Sequence, residues 1–277
     1  MNEQLNGLGG AAIIEPALEK PGLPFALVTG GKGGVGKSSI ALNMAIEMGR
    51  RGQRVLLLDL DLGLGDLAVM LKLSPKRTIE DFFRGTHSLL ECCTLIESGV
   101  HLVPAGSGSG DLARPDSARR AQLFAELANV TRHFDVVIAD SAAGIGPDVL
   151  AFATAADCVV CVATADPASI TDAYGIIKAL DHHGHRHSTD VPTPGLVMNR
   201  VSTSSEADAI ATRLAGITAR FLSRRPRLLG WLPDSNSVRQ ATRAQRAFVS
   251  MAPKALSSQN TARLAQRVET LLALQKT

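Results

Sequence analysis

The sequence predicts one α/β domain of three layers, α/β/α, with a mostly parallel central sheet covered by helices on both faces. Two observations predict it. Seven short apolar runs, rich in Val, Leu, Ile and Ala, alternate with segments of helical length, which is the pattern of a sheet buried on both faces. No internal repeat, low-complexity linker or composition break divides the 277 residues. They read as one domain over 23–256, preceded by a loose tail over 1–22 and followed by a terminal helix over 257–277.

The elements follow in order. Phe25-Ala-Leu-Val-Thr29 is the first strand, flanked by Pro24 and Gly30. A glycine-rich loop comes next, then a helix expected over 37–51. The second strand, 55–58, runs into Asp59-Leu-Asp61. Further strands are expected over 100–104, 136–139, 158–163, 195–198 and 228–231. Helices are expected near 116–132, 147–156, 167–182, 204–222 and 257–275. Asp166-Pro167 opens one of them, because Asp accepts a first-turn N–H as N-cap and Pro suits the first helical position. Cys158 and Cys161 have C-x-x-C spacing but lie within a strand. Residues three apart on a strand point to opposite faces, so buried thiols are expected rather than a metal or redox pair. His182-His-Gly-His-Arg-His187 is expected as a solvated turn between helix and strand, with metal binding as the alternative.

Composition narrows the class. Hydrophobic residues make up 45% and charged residues 20%, which suits a soluble globular protein with a sizeable core. Aromatics are only 4%, so aliphatic side chains must fill that core. No run reaches the roughly 18 apolar residues of a membrane span, and the first residues lack the order of a signal peptide. A cytoplasmic protein is expected. The net charge of +3 is unevenly spread: from Arg200 onward there are thirteen Lys/Arg against four Asp/Glu. Such a basic third suits phospholipid, nucleic acid or an acidic protein, or is a solvated surface.

The chemistry is in Gly30-Gly-Lys-Gly-Gly-Val-Gly-Lys-Ser-Ser39, which contains G-x-x-x-x-G-K-S from Gly31 to Ser38. Glycines let backbone N–H groups turn inward around phosphate oxygens, and the following helix adds its positive end. The loop residues Gly31, Lys32, Gly33, Gly34, Val35, Gly36, Lys37, Ser38 and Ser39 are therefore expected to hold ATP. Lys37 is expected at the β- and γ-phosphates and Ser38 on Mg²⁺. A strand before the loop and a helix after it are the context this motif needs. Asp59, Asp61 and Asp140 stand at carboxyl ends of expected strands, where ligands of open α/β sheets bind. Carboxylates there are placed to hold Mg²⁺ or orient a water.

Lys32 is a second lysine that a general phosphate loop does not require. Lys32-Gly-Gly-Val-Gly-Lys-Ser38 resembles the deviant Walker A motif of the MinD/ParA class of P-loop ATPases. The resemblance implies that Lys32 reaches the nucleotide of a partner subunit in an ATP-dependent homodimer. It implies that Asp61 positions the attacking water, making Lys32, Lys37 and Asp61 the catalytic set. Asp140 then holds Mg²⁺ through water, with Ser38 and Asp59 in the metal shell, and Asp140-Ser-Ala-Ala-Gly144 supplies a hinge that senses the γ-phosphate. Met198-Asn-Arg200 resembles the adenine site of the class, which assigns Asn199 and Arg200 to the base. Leu232-Pro-Asp234 resembles the loop over adenine, which adds Pro233 and Asp234. Hydrolysis is expected to be slow until dimerisation or a partner completes the site.

Several further stretches are similar to the flagellar number regulators of the FlhG (FleN) subfamily. They are Asp59-Leu-Asp-Leu-Gly-Leu-Gly-Asp66, Pro104-Ala-Gly-Ser-Gly108, 140–152, Asp166-Pro-Ala-Ser-Ile-Thr-Asp-Ala-Tyr-Gly-Ile-Ile-Lys178, Gln245-Arg-Ala-Phe-Val249, Ser257-Ser258 and Leu264-Ala265. The resemblance spans about 25–270. It implies a regulatory switch acting on flagellar number, placement and gene expression. The implied partners are an SRP-type flagellar GTPase (FlhF), a basal-body or C-ring component, or a flagellar transcription activator. Some relatives carry an N-terminal D-Q-A-x-x-L-R motif that activates the GTPase partner; here Glu3-Gln-Leu-Asn-Gly-Leu8 keeps part of it, and Gly9 stands where the Arg would be. Some relatives also end in a membrane-binding amphipathic helix. Leu264, Val268, Leu271, Leu272 and Gln275, with Arg263, Arg267 and Lys276, suit either peripheral contact with the inner membrane or packing on the domain itself. Two other functions share the scaffold: a ParA-like positioner of DNA or protein cargo, using the basic third, and an ATP-dependent metabolic enzyme.

Overall fold

The computed structural model describes residues 20–63, 65–97, 99–106 and 115–274. The motif at 3–8, Ser107-Gly108, and Gln275 with Lys276 lie outside the described residues. The strands are β1 (Phe25–Thr29), β2 (Val55–Leu60), β3 (Thr94–Glu97), β4 (Val100–Val103), β5 (Val136–Ser141), β6 (Cys158–Ala163), β7 (Gly195–Val201) and β8 (Leu228–Pro233). They form one sheet in the order β3-β4-β2-β5-β1-β6-β7-β8. All pairs are parallel except β3 with β4.

Helices α1 (Lys37–Arg50), α2 (Leu67–Met70), α8 (Asn236–Arg243), α9 (Phe248–Met251) and α10 (Leu256–Leu274) contribute to the core on one face. Helices α3 (Ile79–Phe83), α4 (Ser117–Asn129), α5 (Pro147–Ala155), α6 (Pro167–His187) and α7 (Ser204–Leu222) contribute to the core on the other. Successive strand residues feed opposite layers: Phe25 and Leu27 one, Ala26 and Val28 the other. That is why the strands read as unbroken apolar runs. Cys161 and Cys158 divide between the two layers in the same way. Burial pushes both thiols up to about 12, which leaves them unreactive.

Several features depart from the sequence expectation, the short helices α2 and α3 among them. Strand β3 is an antiparallel edge strand of only four half-exposed residues, too short and too wet to stand out as an apolar run. Helices α8 and α9 are too short, at eight and four residues, to stand out as helical segments, and α8 buries only Ala241. The histidine segment is not a turn. Helix α6 continues to His187, and Ser188 ends it in the left-handed region (φ 50°) with its N–H on the Gly184 carbonyl. Gly184 belongs inside the helix because a Cβ there would lie 3.0 Å from the Thr189 carbonyl oxygen and 3.1 Å from Val191.

Helix α10 lies against α1 and β8. Leu264, Val268 and Leu272 are buried, each stabilising the fold by about 1.5–3 kcal/mol. Arg267 donates to the Leu229 carbonyl at 2.6 Å and Asn260 to the Trp231 carbonyl at 3.0 Å. These bonds cover carbonyl groups of the edge strand β8. Leu264, Val268 and Leu272, which the amphipathic reading offers to a bilayer, thus sit in the core, and Leu271 packs partly against it. Among the described residues no helix is long and apolar enough to cross a membrane.

Candidate functional site

The site is built at the carboxyl ends of β1, β2, β5, β7 and β8. The loop leaves β1 at Thr29 and closes onto α1 at Gly36, whose φ of 101° favours glycine. Gly36 is the N-cap of α1 and has no side chain to offer, so the first N–H groups of the helix point into the loop. Two neighbours pin the loop. Asn199, on β7, donates from Nδ2 to the Val35 carbonyl at 2.7 Å, and a Cβ on Gly36 would meet that nitrogen at 2.3 Å. On the other side, a Cβ on Gly31 would meet Asp172 of α6 at 2.3 Å. The glycines thus set the shape of the loop and also let two other elements press against it.

The two lysines of the loop are held differently. Lys37, first residue of α1, is only 7% exposed and lies close enough to Asp140 to favour that carboxylate's charged form. Lys32 keeps 51% of its side chain exposed, with Nζ 3.3 Å from the Asp166 carboxylate. Asp166 caps α6, accepting the Ala168 N–H at 2.9 Å. Those contacts hold its carboxyl below the usual range, the Ala168 N–H first and Lys32 next. An ion pair this wet is weak, so Lys32 is free to change partners.

Asp59 and Asp140 are neighbours in register on β2 and β5, and both are fully buried. The Asp59 carboxylate accepts the Asp61 and Leu67 N–H groups, each at 3.2 Å. Its carboxyl is nevertheless pushed well above the usual range, by burial first and by Asp140 next. Asp140 is pushed up to about 7 by burial, against the Ser38 hydroxyl and Lys37, which favour its charged form. Neither Asp140 oxygen makes a hydrogen bond of ordinary geometry among the described residues. A buried carboxylate left this way is costly, and a hydrated divalent ion beside Ser38 would satisfy both oxygens. These residues therefore fit Mg²⁺, which takes few protein ligands and completes its shell with water and phosphate oxygens. Among the described residues no three His, Cys, Asp or Glu side chains gather as a metal site, and a Mg²⁺ site of this kind does not need them.

The remaining expected residues meet at the same end. Asp61 follows β2 and lies near enough to Asp140 to raise its pKa. The Gly144 N–H, past β5, donates to the Gly30 carbonyl at 3.1 Å, joining that loop to the phosphate loop. Asn199 also accepts the Arg200 N–H at 3.0 Å, with Arg200 in the left-handed region at φ 57°. Pro233 ends β8 beside Val201, and Asp234 beyond it is paired with Arg239. Asn199, Arg200, Pro233 and Asp234 thus stand at the carboxyl ends of the neighbouring strands β7 and β8, and of these Asn199 has its amide engaged by the loop. Asp166 and Asp172 are the site residues that sequence reasoning does not reach. Asp166 is legible as a helix cap, but its partner lies 134 residues away.

Part of the basic third is committed within the chain. Arg224 binds Asp181 at 2.7 Å, Arg267 binds the Leu229 carbonyl, and Arg239 and Arg263 bond to Asn236 and Asn260. That leaves less free charge for a polyanion than the sequence count alone indicates.

Comparison with known proteins supplies the family. Residues 26–247 match the CobQ/CobB/MinD/ParA nucleotide-binding domain. The antiactivator FleN of Pseudomonas aeruginosa is 37% identical over 243 residues, covering 87% of this chain and 85% of FleN. The flagellum site-determining protein YlxH of Helicobacter pylori is 33% identical over 237 residues, covering 85% and 78% of the two chains. Among solved structures, the MinC:MinD cell division complex of Aquifex aeolicus aligns with a TM-score of 0.72 at 22% identity, over 89% of this chain and 96% of that one. MinD of Pyrococcus horikoshii complexed with Mg-ADP aligns at 0.70 and 18% identity, over 91% and 98%. With its phosphate loop between β1 and α1 and its paired strand-end carboxylates, the chain belongs to the CobQ/CobB/MinD/ParA nucleotide-binding family and is an ATPase of the MinD/FlhG type.

Proposed function

We propose that this ATPase is a dimerising switch in which ATP binding joins two copies, the dimer engages a flagellar partner, and hydrolysis releases it. The observation that carries this reading is the contrast between the two loop lysines. Lys37 is sequestered with Asp140, and Lys32 stands exposed in a weak ion pair at the rim. A lysine so placed suits a phosphate belonging to a second copy. Lys37 and the loop amides hold the triphosphate, and Ser38, Asp140 and Asp59 are the residues to hold Mg²⁺. Mg²⁺ held there would supply positive charge that offsets the charge of the phosphates. Asp61, at the mouth of β2, orients the water that attacks the γ-phosphate, while Lys32 and Lys37 offset the negative charge that develops. Asn199, Arg200, Pro233 and Asp234 line the adenine side; for Asn199 this requires its amide to leave the Val35 carbonyl. Gly144, bonded to Gly30, is placed to move when a γ-phosphate arrives.

The names of two relatives, one an antiactivator and the other a flagellum site-determining protein, support a flagellar partner. A flagellar transcription activator, an SRP-type GTPase and a C-ring component are the partners this reading favours. Light scattering with ATP and Mg²⁺, using Asp61→Ala to slow hydrolysis, tests the switch: a dimer is expected with ATP and a monomer with ADP. A monomer at every ATP concentration would refute it. Flagellar counts in cells lacking the protein test the biological role, and a normal number and placement would remove it. Salt-sensitive DNA binding confined to the ATP form would favour a ParA-like positioner instead.

A further inference from the structure

The far end of α6 carries a side-chain cluster that the nucleotide chemistry does not use. His183 and His187 are one helical turn apart, so they share a face. Their ring centroids lie 4.4 Å apart with the planes tilted by 39°, and both side chains are half-buried. They border a cleft of about 600 Å³, lined also by Leu150 of α5 and by Ala179, His182 and Arg186 of α6.

Three things suit this pair to a metal ion. The backbone that spaces the rings is already helical, so binding orders little more than two side chains. His187 sits in the last turn of α6 and His183 one turn before it, near the negative end of the helix, which favours a cation. The cleft leaves room for the water ligands that a two-histidine site requires. Asp181 and His185 border the same cleft. Asp181 is held by Arg224 at 2.7 Å, and His185 Nδ1 lies 2.8 Å from the Asp181 carbonyl oxygen. His182 is exposed on the adjoining stripe.

We propose that His183 and His187 form a surface site for a first-row divalent transition-metal ion, chemically separate from the Mg²⁺ site at the opposite end of α6. Imidazole nitrogen selects Cu²⁺, Ni²⁺ and Zn²⁺ over Mg²⁺ and Ca²⁺, which prefer oxygen. The two rings supply two ligands and water the rest. Binding clamps the last turn of α6, next to the Asp181–Arg224 bond that ties this helix to the end of α7.

The test is calorimetric titration of Cu²⁺, Ni²⁺ and Zn²⁺ into the full chain without nucleotide. One ion per chain is expected, bound most tightly for Cu²⁺ and undisturbed by excess Mg²⁺. His183→Gln and His187→Gln should each weaken it by about tenfold or more, and His182→Gln should leave it unchanged. Retained ATP affinity shows that each variant is folded. In the unaltered chain, Zn²⁺ should shift the ring ¹⁵N resonances of His183 and His187 together. Undiminished binding by a folded H183Q/H187Q double variant, or no Zn²⁺-dependent shift at those two rings, overturns the proposal.

Discussion

At the amino ends of the strands, aspartates are surrounded by donors. Asp135 accepts the Arg54 N–H at 2.8 Å and its guanidinium at 2.7 Å, while the same Arg54 reaches the Arg132 carbonyl at 2.6 Å. Asp157 accepts the Phe25 N–H at 3.1 Å and Lys20 at 2.9 Å. At the carboxyl ends of the same sheet, Asp140 is buried without one ordinary hydrogen bond among the described residues, and burial drives its pKa up to about 7. The left-handed conformations of Gly36, Gly144 and Arg200 are at that end too. One end spends its aspartates on tying strands to their neighbours. The other gathers an unsatisfied carboxylate, a hydroxyl and a buried lysine, an arrangement that costs stability.

The sharpest way to break this contrast is Lys37→Ala. It should lower ATP affinity by about two to three orders of magnitude while the chain stays folded; unchanged affinity in a calorimetric titration would remove the site assignment. Next is Leu264→Ala, on the helix that supports the sheet from behind. It should cost about 3 kcal/mol of stability in urea unfolding yet leave the ATP affinity of folded protein intact. A comparable loss of ATP affinity would mean that the supporting layer and the site are not separable.

Asp140→Asn should have a smaller and opposite effect on stability. Removing the unsatisfied charge should stabilise the Mg²⁺- and nucleotide-free protein by about 1–3 kcal/mol at pH 8 and abolish Mg²⁺-dependent nucleotide binding. The pH dependence has a definite sign. The folded-state pKa of about 7 lies above the ordinary 3.8, so between them the folded chain keeps a proton that the unfolded chain releases. Stability contributed by this group therefore falls as pH rises from about 4 to about 7; Asp59, also raised, acts in the same direction. The Asn variant should show a shallower fall, and an unchanged slope would contradict the account of Asp140. The smallest effect is expected for Asp135→Ala. It should lower the melting temperature slightly with no change in ATP affinity, whereas a marked loss of affinity would place the amino ends of the strands in the functional machinery.

The parts of the molecule that read clearly in the sequence are those whose causes are local. The β1–loop–α1 unit is contiguous, and its glycines, Lys37 and Ser38 declare themselves by spacing. Asp59 and Asp140 read as strand ends because the apolar runs stop at them. Asp166-Pro167 reads as a helix start, and its cap bond is present. The parts that do not read clearly depend on distant neighbours. Gly184 and four nearby histidines look like a turn, yet Val191 and the Thr189 carbonyl press against the glycine and the helix continues past it. Strand β3 exists because β4 offers it an edge. Nothing local announces that Asn199 would hold the Val35 carbonyl across 164 residues.

The sequence by itself determined the class of the site, because a phosphate cradle needs only a short run of backbone that can turn its N–H groups inward and a lysine at a set distance. It also determined which strands are buried on both faces, since unbroken aliphatic runs admit no wet side. Tertiary structure alone decided that Lys32 rests on Asp166, that Asp172 presses on Gly31, that α10 folds its leucines inward, and that His183 and His187 share a cleft with α5. Those outcomes depend on strand order and on how two helical layers share one sheet. They are set by contacts between residues far apart in the chain, which no local propensity encodes.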